Sequence, residues 1–268
     1  MSLKDLMVHL DQDGRTTARL EMAVAIAKAH QARLVGVFGQ RAKAQQVGVV
    51  ASWPPEDYAL AAANGKAAFD KATSGLPHTE WLDINRGSDA ALLALITAAA
   101  RHSDIGILGQ HQDNGLLPQD LVEEVIANSG RPILVVPSVG DYHPAFKRPL
   151  IAWNDSRESA QALNAALPLM KGCDEAVILS LAPRPDHAES CCQAVSSHLA
   201  CHGIKTCTES LVVDDIGIMD MLLNRVADHG ADLLVMGAHG HIGFPFISRG
   251  AGTRHVLRTM TVPVLMAG

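Results

Sequence analysis

The sequence predicts an α/β protein made of two tandem doubly wound parallel-sheet domains, and three observations carry that prediction. Short, continuously apolar runs alternate with segments of helical periodicity along the whole chain. Unbroken apolar runs are the mark of strands covered on both faces, and β-α alternation places such strands in parallel sheets. The chain also repeats itself: Asp104-Ile105-Gly106-Ile107-Leu108-Gly109-Gln110-His111 matches Asp232-Leu233-Leu234-Val235-Met236-Gly237-Ala238-His239. Finally, 268 residues suffice for two domains of ordinary size, each with its own core.

The elements follow in order. In the first half, apolar runs place strands near 5–10, 33–38, 79–84, 104–109 and 132–136. Helical periodicity between them places helices near 15–30, 56–74, 88–102 and 119–129. In the second half, strands are expected near 149–154, 176–181, 206–212, 232–237 and 263–267, with helices near 156–171, 187–202, 216–229 and 251–259. Two further matches fix the repeat: Leu6–His9 with Leu150–Trp153, and Arg131–Val136 with Val262–Ala267. The spacing of the matched blocks leaves about sixteen extra residues in the first half, assigned to the loop-like stretch Gly39–Pro55. It also leaves the loop after 109 three residues shorter than its counterpart. A linker, Pro137–Phe146, with Gly140 and Pro144, separates domains expected at 1–138 and 146–268. The strands Ile133–Val136 and Val264–Met266 would leave apolar edges exposed unless the halves met across them.

The most informative stretch is 232–253. A strand ends in Met236-Gly237-Ala238-His239-Gly240, and Gly250-Ala251-Gly252-Thr253 opens the next helix. Glycines at a strand's carboxyl end let backbone N–H groups approach an anion closely. A helix start adds free amides and the positive end of its dipole. The stretch therefore reads as a phosphate cradle, against the simpler reading in which each glycine only turns the chain.

Gly237-x-x-Gly240-x9-Gly250 resembles the nucleotide-binding signature of the universal stress protein family, which usually has Ser or Thr where this chain has Ala251. The resemblance covers nearly the whole chain. It implies the five-stranded, adenine nucleotide alpha hydrolase-like fold with strand order 3-2-1-4-5, twice, packed as an internal pseudo-dimer across the last strands. It also implies the ligand: ATP or another adenine nucleotide, with Mg2+ as an optional companion. In doubly wound sheets the ligand lies outside the carboxyl ends of the strands where strand order reverses. By resemblance, Asn154 stands where the family usually has Asp, Ala152 and Leu181 line the base, and Met236, Gly237, Gly240, Gly250, Ala251, Gly252 and Thr253 wrap ribose and phosphates. His239, His241 and Arg249 add positive charge near the loop. For His239 a structural role competes, because His111 matches it in the half without an intact loop. Phe244-Pro245-Phe246 could pack over the ligand or against a partner.

The first half is expected to be empty. Its loop is short, Gln112 replaces the second glycine, and Gln119-Asp120-Leu121-Val122 replaces the cluster at 250–253. Asp120, Glu123 and Glu124 at that helix start suit the dipole but repel phosphate. Leu10 stands where Asn154 stands in the other copy.

Other chemistry finds little support. There is no G-x-x-x-x-G-K-[ST], no G-x-S-x-G and no H-E-x-x-H, and Gly250-x-Gly252 lacks the last glycine of a dinucleotide fingerprint. Asp214, Asp215 and Asp220 read as loop and helix-start residues. All five cysteines lie in the second half without a CxxC; His187/Cys191 and His198/His202 are four apart on one expected helix, and half-buried cysteines with solvated histidines are expected there rather than a metal. A formal charge of −6 and the absence of basic blocks argue against nucleic-acid binding. No apolar run is long enough to span a membrane, and Met1–Asp5 has no secretory character, so the cytoplasm is the expected compartment. The expectation is a nucleotide-binding stress sensor or switch with an unknown protein partner and room for a homodimer. Any hydrolysis should be slow, for want of a base and a Walker-type Asp. The competing expectations are a nucleotide-free scaffold and a thiol or metal sensor on the 187–202 helix.

Overall fold

A computed structural model describes residues 2–42, 45–47, 50–52, 54–84, 88–113, 115–182, 185–212, 217–238 and 250–268. The chain divides into two compact units, Ser2–Arg131 and Pro132–Gly268.

In the first unit, β1 (Asp5–Leu10), β2 (Arg33–Phe38), β5 (Thr79–Asp83) and β6 (Ile105–Gly109) form a parallel sheet in the order β6-β1-β2-β5. Its helices are α1 (Thr16–His30), α2 (Glu56–Ala72), α3 (Asp89–Ala100) and α4 (Leu121–Ser129). Leu6, Val8, Leu34, Val37 and Ile107 are wholly buried, as strands sandwiched between helices must be. The stretch expected to be a loop contains a short antiparallel hairpin, β3 (Gln45–Val47) with β4 (Val50–Ser52). Pro55 then stands as the N-cap of α2, its fixed φ of −60° suited to a helix entry.

The second unit holds β8 (Pro149–Trp153), β9 (Ala176–Ala182), β10 (Thr206–Val212), β11 (Leu233–Gly237) and β12 (Val264–Ala267), parallel in the order β10-β9-β8-β11-β12. That is the expected 3-2-1-4-5. Its helices are α5 (Arg157–Ala166), α6 (Pro185–Cys201), α7 (Ile218–Asp228) and α8 (Ala251–Thr259). α5 is shorter than its periodicity suggested: Leu167, still in the right-handed helical region, is its C-cap, and Pro168 has no N–H to extend the ladder. One more strand joins this sheet. β7 (Ile133–Val136), the last strand of the first repeat, pairs antiparallel with β12 in the register Val264↔Val135, Leu265↔Leu134, Met266↔Ile133. The apolar edges of these two strands therefore cover each other, as their composition required.

The sequence repeat has a physical counterpart at the amino ends of the central strands. Asp104 Oδ2 accepts the N–H groups of Lys4 (2.6 Å) and Asp5 (3.1 Å). Asp232 does the same for Lys147 (2.6 Å) and Arg148 (2.9 Å). One carboxylate in each unit thus satisfies amides at the entry to its central strand.

Candidate functional site

Strand order reverses between β8 and β11, and the carboxyl ends of these neighbours bring together four of the residues singled out in the sequence. Ala152 is registered with Met236 on one side and Leu179 on the other, and Gly237 follows at the end of β11. Met236 is buried, whereas Ala152, Asn154 and Gly237 are half-buried. Leu181 lies on β9, where its backbone is registered with Leu211.

Gly237 is glycine for a steric reason. A Cβ there would lie 2.6 Å from Ser159 N and 2.7 Å from the carbonyl carbon of Glu158, in the first turn of α5. Strand end and helix start are therefore in close backbone contact. The α5 entry is itself tightly organised. Ser156 and Ser159 form a reciprocal capping box, and Ser156 Oγ donates to Asn154 Oδ1 at 2.7 Å. Asp155, between them, adopts a left-handed φ of 58°, a conformation Asp tolerates better than most residues. Asn154 thus spends its carbonyl oxygen on the helix cap and keeps its NH2 group for other partners. Trp153 Nε1, one residue earlier, is enclosed with no hydrogen-bond partner among the described residues.

β11, α8 and β12 form a crossover between parallel neighbours, so the N-terminus of α8 returns to the carboxyl edge of the sheet. Gly250 is its N-cap, with φ 84°, and no side chain caps the helix. Its first turn holds no acidic residue. Gly252 and Thr253 are buried and Ala251 is half-buried. Helix starts without a carboxylate in the first turn are ready anion sites. One acid does lie near the crevice: the Cβ of Glu158 is 2.8 Å from the point a Cβ of Gly237 would occupy. Its carboxyl is held below the ordinary range, chiefly by its own backbone N–H, and it accepts from Arg157 at 3.0 Å. His239, Gly240, His241 and Arg249, together with Phe244–Phe246, lie outside the described residues.

The equivalent crevice of the first unit, between β1 and β6, is filled by the unit's own side chains. Arg19, on α1, is buried and donates to Asp11 Oδ1 at 2.7 Å and to Thr16 Oγ1 at 2.9 Å. A Cβ at Gly109 would lie 2.0 Å from Arg19 Nη1, so the guanidinium occupies the space that the glycine leaves. His9, also buried, donates from Nε2 to the Gly39 carbonyl at 2.8 Å, which leaves Nδ1 facing Asp11 Oδ2 at 3.9 Å. Gln112 donates to Asp13 Oδ1 at 3.0 Å and joins the loops after β6 and β1. Leu10 is buried at the end of β1. The start of α4 carries Glu123 and Glu124, as its sequence indicated.

Sequence reasoning missed the Asp11–Arg19 pair, although a signal was present. Arg19 shares a helical stripe with Ala23, Ile26 and Ala27, all buried. A charge on such a stripe demands a buried partner.

Among the described residues no three or more His, Cys, Asp or Glu side chains are grouped to hold a metal, and no helix is long and apolar enough to cross a membrane. No protein-family model and no curated protein matches the chain. Solved structures do. A universal stress protein from Archaeoglobus fulgidus superposes with a TM-score of 0.75 at 15% identity, covering 98% of this chain and 95% of its own. A putative universal stress protein from Pseudomonas aeruginosa gives 0.61 at 17% identity, covering 99% and 93%. The cytoplasmic domain of a prokaryotic cation chloride cotransporter gives 0.57 at 12%, covering 98% and 95%. The architecture is thus shared by proteins of different roles. At these identities the likeness extends over both repeats and concerns the backbone: this chain has the tandem, doubly wound fold of the universal stress proteins.

Proposed function

We propose that this chain is a universal stress protein whose second domain, 146–268, binds ATP or a related adenine nucleotide and acts as a stress-response sensor or switch in the cytoplasm. The observation that carries this reading is the start of α8. α8 follows β11, one of the two strands at the strand-order reversal, and begins behind a left-handed Gly250 with no carboxylate in its first turn. The residues present suit a phosphate there. Gly250, Ala251 and Gly252 supply backbone N–H groups, and Asn154 supplies a side-chain NH2. Mg2+, if it accompanies the nucleotide, would be drawn to the carboxylates of Asp155 and Glu158 at the α5 entry. The first domain, 1–138, is read as a degenerate copy, because Arg19 fills its crevice and Glu123 and Glu124 guard its helix start. Nothing in this reading requires rapid hydrolysis, and the chain would report nucleotide to a protein partner, alone or as a homodimer.

Calorimetry with ATP on the full chain tests the proposal. One binding event is expected, weakened about tenfold or more by Gly250→Val, which forces a β-branched side chain into the left-handed conformation at the helix start. No heat of binding at ~1 mM ATP would sink it. One observation favours a second reading, a nucleotide-free scaffold: Glu158 places a negative charge beside Gly237. Nucleotide released on denaturing the freshly purified protein would decide against the scaffold.

A further inference from the structure

The C-terminal end of α6 and the turn after it carry two histidines that the nucleotide reading does not use. Cys192, Val195 and Leu199 are buried on this helix, which packs on β9 and β10. His198 and His202, one turn apart, are exposed. Their ring centroids are 4.9 Å apart with an interplanar angle of 70°. Neither imidazole has another partner among the described residues, so ring nitrogens of both remain available. The neighbouring thiol of Cys201 turns back to the Ser197 carbonyl at 3.4 Å and leaves the pair to the two imidazoles.

That separation is what a shared metal ion needs. A metal bound about 2.05 Å from an imidazole nitrogen lies about 3.2 Å from the ring centre. Two rings on one ion at a ligand angle of roughly 100° then have centres about 4.9 Å apart. The two ring centres thus already stand at the spacing that a shared ion would set. The position adds to the attraction, because His198 lies in the last turn of α6, where the helix dipole presents its negative end.

We propose that His198 and His202 form a two-imidazole clamp for a divalent late transition ion, Cu2+ or Zn2+, with water in the remaining coordination positions. Imidazole nitrogen suits both ions, and Cu2+ is bound more tightly at such a site. The clamp depends on the last turn of α6 and on the turn after it, in which the His202 N–H donates to the Leu199 carbonyl at 2.9 Å. Metal should therefore protect the C-terminal turns of α6 from hydrogen exchange.

The test is a Cu2+ titration of the full chain, followed by electron paramagnetic resonance for nitrogen hyperfine coupling and by Zn2+-dependent hydrogen exchange over 193–201. One tight equivalent with two-nitrogen coupling is expected. His198→Ala and His202→Ala should each weaken it about ten- to a hundredfold, and Zn2+ protection of α6 should vanish in both. Both positions are exposed, so the variants keep the fold, which circular dichroism checks. Equal Cu2+ affinity in the wild type and the H198A/H202A double variant would overturn the proposal. So would a loss caused by only one of the two substitutions, because a clamp needs both rings.

Discussion

His9 and Asp11 sit in one buried cluster and make the first unit sensitive to acid. Burial holds the His9 imidazole down to about 4 from its usual 6.5; Asp11 pulls the other way and Arg19 adds to the drop. Between those values the unfolded chain takes up a proton that the folded chain refuses. Stability from this group is complete above about pH 6.5 and declines toward pH 4, by on the order of 3 kcal/mol. Burial alone would raise the Asp11 carboxyl, but the charges of Arg19 and His9 and hydrogen bonds from Thr16 and the Asp13 N–H hold it at about 2. Its contribution is present above 3.8 and lost only as pH falls through 2. The two effects occupy different windows, which makes them separable. His9→Gln keeps a donor for the Gly39 carbonyl but cannot titrate. Urea unfolding at several pH values from 7 to 4 should show the variant losing the steep decline of the wild type, and equal slopes would exclude His9 as its source.

At the scale of the element, the close packing of β11 on α5 yields the next prediction. Gly237→Ala places a methyl against backbone atoms of Glu158 and Ser159, which cannot rotate away. The cost should be about 1–3 kcal/mol in urea unfolding. Gly14→Ala, with open space around it, should change stability by no more than about 0.5 kcal/mol. Most elements were legible in the chain because buried strands announce themselves as apolar runs: β1, β6, β8 and β11 lie within a residue of the expected 5–10, 104–109, 149–154 and 232–237. The hairpin β3–β4 was not legible, since three-residue strands leave no period to read. Nor was the filling of the first crevice. It depends on Gly109 making room for a side chain ninety positions earlier, and no local pattern encodes that contact. Asn154 is an intermediate case. Its place at the end of β8 was readable, but its engagement with Ser156 required the geometry of the α5 cap.

For the molecule as a whole, the position of β7 matters most. By sequence it closes the first repeat, yet Ile133–Val136 belong to the compact unit of the second and pair with β12. Folding of the second repeat should therefore depend on residues that precede it. Val135 is wholly buried and registered with Val264. A proline there removes an N–H from a covered strand and fixes its φ, at a cost of ~3 kcal/mol or more. The sequence change lies in the first repeat, so the location of the damage is the informative readout. In Val135→Pro, amide exchange should accelerate over β12, 264–267, beyond what a helix-surface control such as Leu60→Ala produces. Unchanged protection of β12, with loss confined to β1, β2 and β6, would mean that β7 supports the first repeat alone. Because β12 follows α8 directly, the same variant should also loosen the helix start proposed to hold phosphate. ATP affinity falling together with β12 protection would link the nucleotide site to the strand that closes the first repeat.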